Sequence, residues 1–100
     1  MEKEIIWTQT AQNQLKDIYF YLLEETKSFE IANKVVDALV NSVTILKNKW
    51  EIYETDEFRI PKDNSYRAFE KFNYRISYKI DLKKVYIIRI RHSSRTSKFY

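Results

Sequence analysis

Apolar positions along the chain change period once, near residue 50, which divides it into a helical part and a strand part. In the first part Ala11, Leu15, Ile18 and Leu22 recur at spacings of four, three and four, one face of a helix, and Tyr19 and Leu23 widen that stripe. Glu24 to Lys27 interrupts the pattern. A longer periodic segment follows through Ile31, Val35, Leu39, Val43 or Ser42, and Leu46. Thr8 or Thr10 caps the first helix, because a hydroxyl there accepts from the free N–H groups of the first turn. Ser28 caps the second, with Glu30 in the favourable first turn. So few residues separate the two helices that they should pack as an antiparallel hairpin. Ahead of them, Glu4 to Trp7 reads as a short edge strand.

Beyond Trp50 the signal is a period of two. Phe58, Ile60 and Pro61 predict a short strand that ends in the polar stretch Lys62 to Ser65, and Tyr66 to Phe69 begins another. Tyr74, Ile76, Tyr78 and Ile80 alternate with Arg75, Ser77, Lys79 and Asp81. Tyr86, Ile88 and Ile90 alternate with Val85, Ile87, Arg89 and Arg91. Asp81 to Lys84 joins these two strands without glycine, so Asp81 or a lysine is expected in a left-handed turn conformation. The fold class is α+β: an N-terminal strand, an antiparallel helix hairpin, then a three- to four-stranded antiparallel sheet, as a single domain over residues 1–100.

The alternation also assigns faces. The helices are expected over Tyr74, Ile76, Tyr78, Ile88 and Ile90, and Arg75, Lys79, Arg89 and Arg91 then share the opposite face. Arg67 joins them if its strand pairs in the matching register, and a one-residue bulge would invert the assignment. On this reading Arg75 is solvated, and its loss costs little stability.

Composition narrows the chemistry. One hundred residues, 44% hydrophobic and 16% aromatic, make one small domain with a packed core. The absence of cysteine excludes a disulfide framework and a thiolate metal site. With a single histidine, His92, and no carboxylates at suitable spacing, no metal or cofactor is expected. The absence of glycine excludes Gly-rich phosphate loops, so any phosphate must be held by side chains. The first residues hold no apolar core of signal-peptide length and no stretch approaches a membrane span, so a cytoplasmic location is expected.

Charge is unevenly placed. From Tyr66 onward there are ten Lys/Arg against Glu70 and Asp81 alone, whereas the first fifty residues carry six Lys/Arg and seven Asp/Glu. Because those cations alternate with apolar residues, they lie on strands and give the sheet a cationic face. Such a face is built to meet an anion, either a phosphate backbone or an acidic protein.

The ordered set of motifs resembles a known family. W-T-x-x-A-x-x-x-L-x-x-I-x-x-Y (Trp7, Thr8, Ala11, Leu15, Ile18, Tyr21) leads into the helix pair with Ala32 and Leu46. Y-R-A-F (Tyr66 to Phe69), Y-R-I-S-Y (Tyr74 to Tyr78) and R-H-S-S-R (Arg91 to Arg95) follow. Together they resemble the RelE/ParE family of type II toxins, especially the ParE-like branch. The resemblance implies a growth-inhibiting toxin neutralised by a cognate acidic antitoxin. It also implies one of two targets: DNA gyrase, poisoned without catalysis, or mRNA cut in the ribosomal A site.

RNA cleavage by the ribose 2′-OH needs a base, an acid for the leaving oxygen and cations around the phosphorane. In the nuclease branch, the resemblance implies Arg75 as phosphate clamp and His92 and Tyr100 as catalytic groups. Arg67, Arg89, Arg91 and Arg95 are then candidates for phosphate or partner binding. Glu70 is the nearest carboxylate, but the strand pattern puts it on the wrong side, and Lys71 is the nearest substitute. The plainer readings stand beside these: Arg75 as a surface arginine, His92 as a structural residue at a strand end, Tyr74, Tyr78 and Tyr86 as packing aromatics. Outside the family, the cationic sheet would suit a non-enzymatic nucleic-acid binder, although no aromatic stacking platform is evident on that face.

Overall fold

The computed structural model describes residues 2–56 and 64–93. Strand β1 (Glu4–Trp7) leads into helices α1 (Gln9–Thr26) and α2 (Phe29–Thr44), and a short 3-10 turn, Ile45–Lys47, follows. Strands β2 (Tyr66–Lys71), β3 (Tyr74–Ile80) and β4 (Lys84–His92) complete the fold. The expected strand at Phe58, Ile60 and Pro61 lies outside the described residues.

The helix boundaries follow from local chemistry. Thr8, and not Thr10, caps α1: its hydroxyl accepts from the Ala11 N–H at 3.2 Å. Ser28 caps α2 by accepting from the Ile31 N–H at 3.1 Å, with Glu30 in the first turn. Lys27 closes α1 in the left-handed conformation, its N–H donating to the Leu23 carbonyl, so two residues suffice to reverse the chain. The stripe read on α1 faces the core, with Ala11 and Ile18 buried and Leu15 and Leu22 packed against them. On α2 the core face begins at Ala32, and Ile31 is exposed to solvent.

The sheet order is β1-β4-β3-β2. Strands β2, β3 and β4 are antiparallel as expected. Strand β1 occupies an edge, but it runs parallel to β4, so the four-stranded sheet is mixed. In the hairpin between β2 and β3, Phe72 and Asn73 both have positive φ, at 54° and 65°. That pair matches the two-residue turn whose twist suits antiparallel strands, and Asn is one of the residues that tolerate it best. The β3–β4 connection uses no positive φ at Asp81 or either lysine. Instead the Asp81 N–H donates to the Lys84 carbonyl, and the Asp81 carboxylate accepts from the Leu82 N–H at 2.8 Å. Lys3 holds this turn from the start of β1, donating to the Asp81 and Leu82 carbonyls at 2.7 and 2.6 Å while its ammonium lies over Trp50.

One bulge sets the faces of β4. Ser77 pairs with Arg89 and Tyr78 with Ile87, so β4 carries Ile88 as an extra residue. On the Lys84 side of the bulge Val85 and Ile87 point into the core, and Ile90 does so on the far side. The assignment of Ile88 to the helix-covered face is therefore corrected, whereas Ile90, Tyr74, Ile76 and Tyr78 are buried as read. Two polar groups of α1 and its cap meet the strand around the bulge. Thr8 donates to the Ile87 carbonyl from both its backbone N–H, at 3.1 Å, and its hydroxyl, at 2.8 Å. Gln14 accepts from the Ile90 N–H through its side-chain oxygen at 2.7 Å. The irregularity in the sheet is thus also the place where α1 is docked.

Tyr78 is the largest fully buried side chain. Its hydroxyl donates to the Trp50 carbonyl at 2.9 Å, and burial pushes its pKa up to about 12, opposed in part by the nearby Arg67 guanidinium. A raised phenol pKa favours the neutral form in the folded state. Its contribution is complete below pH 10 and is lost as pH rises from 10 towards 12, about 2–3 kcal/mol in total. Urea melts between about pH 9 and 12 should show that loss, and Tyr78→Phe should flatten the slope.

Candidate functional site

The open face of the sheet carries the cations. Arg75 faces Arg91 in register, Ser77 faces Arg89 and Lys79 faces Tyr86, all on the side opposite Tyr74, Ile76 and Tyr78. Arg89 is exposed, and Arg75, Lys79 and Arg91 are half-buried. Lys79 lies over the Tyr66 ring at 5.4 Å, which binds part of its charge to the adjacent strand.

Arg75 is not a solvated surface arginine. Its Nη2 meets Asp56 Oδ1 at 2.7 Å, with 19% and 11% of the two side chains exposed. Asp56 belongs to a short stretch laid along the outer edge of β2, where Thr55 pairs with Arg67. The Asp56 N–H donates to the Tyr66 carbonyl, and the Ala68 N–H to the Glu54 carbonyl. The pair joins residues 19 apart across β2.

Arg67 does not join the cationic face. It pairs with Tyr78, on the covered side, and its guanidinium donates to the carbonyls of Tyr53 at 2.8 Å and Asn64 at 3.2 Å. It also lies 3.9 Å from the Glu51 carboxylate. These contacts make Arg67 the anchor that ties Glu51, Tyr53 and Asn64 to β2. Glu70 is corrected as well: it is the register partner of Arg75, so it lies on the cationic face and not on the other side. It is exposed to solvent.

His92 pairs in register with Tyr74, and their rings meet edge to face at 5.1 Å. That places it on the covered face with Ile90, where it lines a small cleft of about 270 Å³ with Gln14, Asp17, Tyr21 and Tyr74. Arg75 and His92 therefore lie on opposite faces of the sheet. Arg95 and Tyr100 lie outside the described residues. Among the described residues no group of His, Asp and Glu is arranged to hold a metal ion, and no helix is long and apolar enough to cross a membrane.

A second surface was not singled out by the sequence. An open apolar groove of about 750 Å³ runs along the helix hairpin, lined by Trp7, Leu15, Tyr19, Phe20, Val36 and Val40. Phe20 is 56% exposed and Phe29, at the start of α2, 67%. The signal for it was present in the helical stripe: Tyr19 and Phe20 extend the apolar arc of α1 beyond what the sheet covers. A patch of this kind on a small domain marks an interaction surface.

Comparison with known proteins agrees with this architecture. In the chromosomal ParDE toxin–antitoxin system of P. aeruginosa, one chain superposes with a TM-score of 0.75 at 22% identity, covering 91% of this chain and 96% of that one. The RelBE2 toxin–antitoxin complex of Mycobacterium tuberculosis contains a chain with a TM-score of 0.67 at 18% identity, covering 92% and 99%. No curated protein matches the sequence. The family model for the ParE toxin of the type II toxin–antitoxin system parDE matches residues 5–96, which takes in the helix hairpin and every strand but the first residue of β1. The chain belongs to the ParE toxin family of type II toxin–antitoxin systems.

Proposed function

We propose that the protein arrests bacterial growth in the cytoplasm by binding and poisoning DNA gyrase, without cleaving RNA. The observation that carries this reading is the separation of Arg75 from His92. A phosphate clamp and a proton-transfer group must converge on one phosphodiester, yet these two lie on opposite faces and Arg75 already holds a carboxylate. A poison needs contact surface instead, and the exposed apolar groove of the helix hairpin supplies it. The same groove and the cationic sheet suit an acidic, partly disordered antitoxin that lays an amphipathic segment along the helices. Ribosome-dependent mRNA cleavage is the second reading, favoured by Arg89 and Arg91 on the open face.

Two assays separate them. Purified protein is expected to inhibit gyrase supercoiling, and His92→Ala to leave that inhibition within about twofold, since contact and not proton transfer is at work. In a translating extract no A-site cuts are expected. Cuts that disappear in both His92→Ala and Arg75→Ala would overturn the gyrase reading in favour of the nuclease.

A further inference from the structure

We infer that the turn between β2 and β3 is a protein-docking tip, with Phe72 the anchor that enters an apolar pocket on a partner protein. This role rests on the reading that the toxin acts by contact, and it does not depend on gyrase being the target. Phe72 and Asn73 both hold positive φ, at 54° and 65°. In that left-handed region the Cβ of an L-residue crowds its own backbone, so such a turn favours Asn, Asp or Gly. Asn73 meets that rule. A phenylalanine does not, and a bulky side chain there is a strained exception. Burial would offset the strain, but Phe72 is 52% exposed and is not among the residues that build the core. It does not line the groove of the helix hairpin either. A single exposed apolar residue is ordinary on a protein surface. One held there at a conformational cost has its use outside the fold.

The turn is braced so that the ring is held out. The Asn73 carbonyl accepts from both the N–H and the hydroxyl of Ser93, at 2.7 and 2.9 Å. Directly behind the turn Tyr74 pairs with His92, their rings edge to face. A tip fixed in this way loses little conformational freedom on binding. The charges beside it identify the class of partner. Glu70 and Lys71, both exposed, lead into the turn with one charge of each sign, and Lys71 Nζ lies 4.9 Å from the centre of the Phe72 ring. Arg75, on the strand that leaves the turn, is engaged by Asp56. A phosphate backbone is met by a run of cations and its bases by successive stacked rings, whereas the tip offers one ring between opposite charges. An aromatic centre with a mixed polar rim is the composition of a protein contact, in which one ring filling a pocket carries a large share of the affinity. The fitting partner surface is an apolar pocket with a carboxylate at its edge for Lys71.

The experiment compares the full chain with Phe72→Asn and Phe72→Tyr at matched levels of protein. In urea melts Phe72→Asn is expected to be folded, with its midpoint at or above that of the wild type, because asparagine suits the turn. Induced in bacteria without antitoxin, the same variant is expected to raise the count of surviving colonies at least about tenfold over the wild type. Phe72→Tyr keeps the ring and should stay within about twofold of the wild type. A folded Phe72→Asn as toxic as the wild type overturns the inference. If Phe72→Asn does not fold, Lys71→Glu decides, since it leaves the turn dihedrals alone: toxicity must fall, and unchanged toxicity overturns the inference. A short single-stranded oligonucleotide tests the other class of partner. Its affinity should be equal for wild type and Phe72→Asn, and a drop of about tenfold in the variant would assign the ring to bases and overturn the protein partner. A toxic wild type that leaves purified gyrase uninhibited removes the gyrase reading alone, and Phe72 is still judged by the colony counts. A wild type that does not arrest growth overturns both.

Discussion

Ile87→Ala is expected to lower the unfolding free energy by about 2–5 kcal/mol, while Ile88→Ala, one residue along the same strand, costs less than about 1 kcal/mol. The contrast follows from the bulge. Ile87 is fully buried, shares the core with Tyr78, Val85 and Leu39, and sits where the Thr8 cap meets β4. Removing its methyl groups leaves a cavity that strands fixed on both sides and a helix N-terminus above cannot close. Ile88 is the residue that the bulge inserts, and it is only half-buried on the open face. A domain of this size is stable by roughly 5–15 kcal/mol, so the Ile87 variant should melt many degrees lower or fail to accumulate. Urea melts of the two variants settle it. Equal losses, or a larger loss at Ile88, would mean that β4 pairs without the bulge and that its whole face assignment is reversed.

That pair of residues also marks how far the sequence carries. Periodicity located both helices, the helix reversal at Lys27–Ser28 and the strands around Tyr74 and Tyr86, because each is a local pattern with a local cause. It assigned Tyr74, Ile76 and Tyr78 to the core for the same reason. From Val85 to Ile90, however, every residue on either parity is apolar except Arg89, so alternation alone gives two nearly equally regular solutions. The bulge that chooses between them is fixed by partners remote in sequence, Thr8 and Gln14, whose contacts leave no periodic trace. The parallel pairing of β1 with β4 is invisible for a related reason, since two strands so far apart in the chain announce no relative direction. The site was legible only in part. The cationic face could be read from Arg75, Arg89 and Arg91 alternating with apolar neighbours. Arg67 could not, because its face depends on the register of β2, and Asp56 could not, because it lies in a stretch with no regular period.

Asp56 and Arg75 carry the second large effect. Replacing Arg75 by Ala is expected to destabilise the fold by about 2–4 kcal/mol, in contrast to the small cost that a solvated arginine would give. The reason is that Asp56, with little exposure, would be left as an anion without its closest counter-charge. Asp56→Ala should cost a similar amount for the converse reason, since Arg75 would then face Arg91 with its carboxylate partner gone. The double variant Asp56→Ala/Arg75→Ala should be less destabilised than the sum of the two by about 1–3 kcal/mol, the signature of a direct interaction. The same cycle separates this pair from exposed ion pairs such as Arg67 with Glu51, where the Glu51 side chain is 71% exposed and the coupling should be below about 1 kcal/mol. Denaturant melts of the four proteins in each cycle supply the numbers. Strict additivity at Asp56 and Arg75 would show that the 54–56 stretch does not depend on the ion pair.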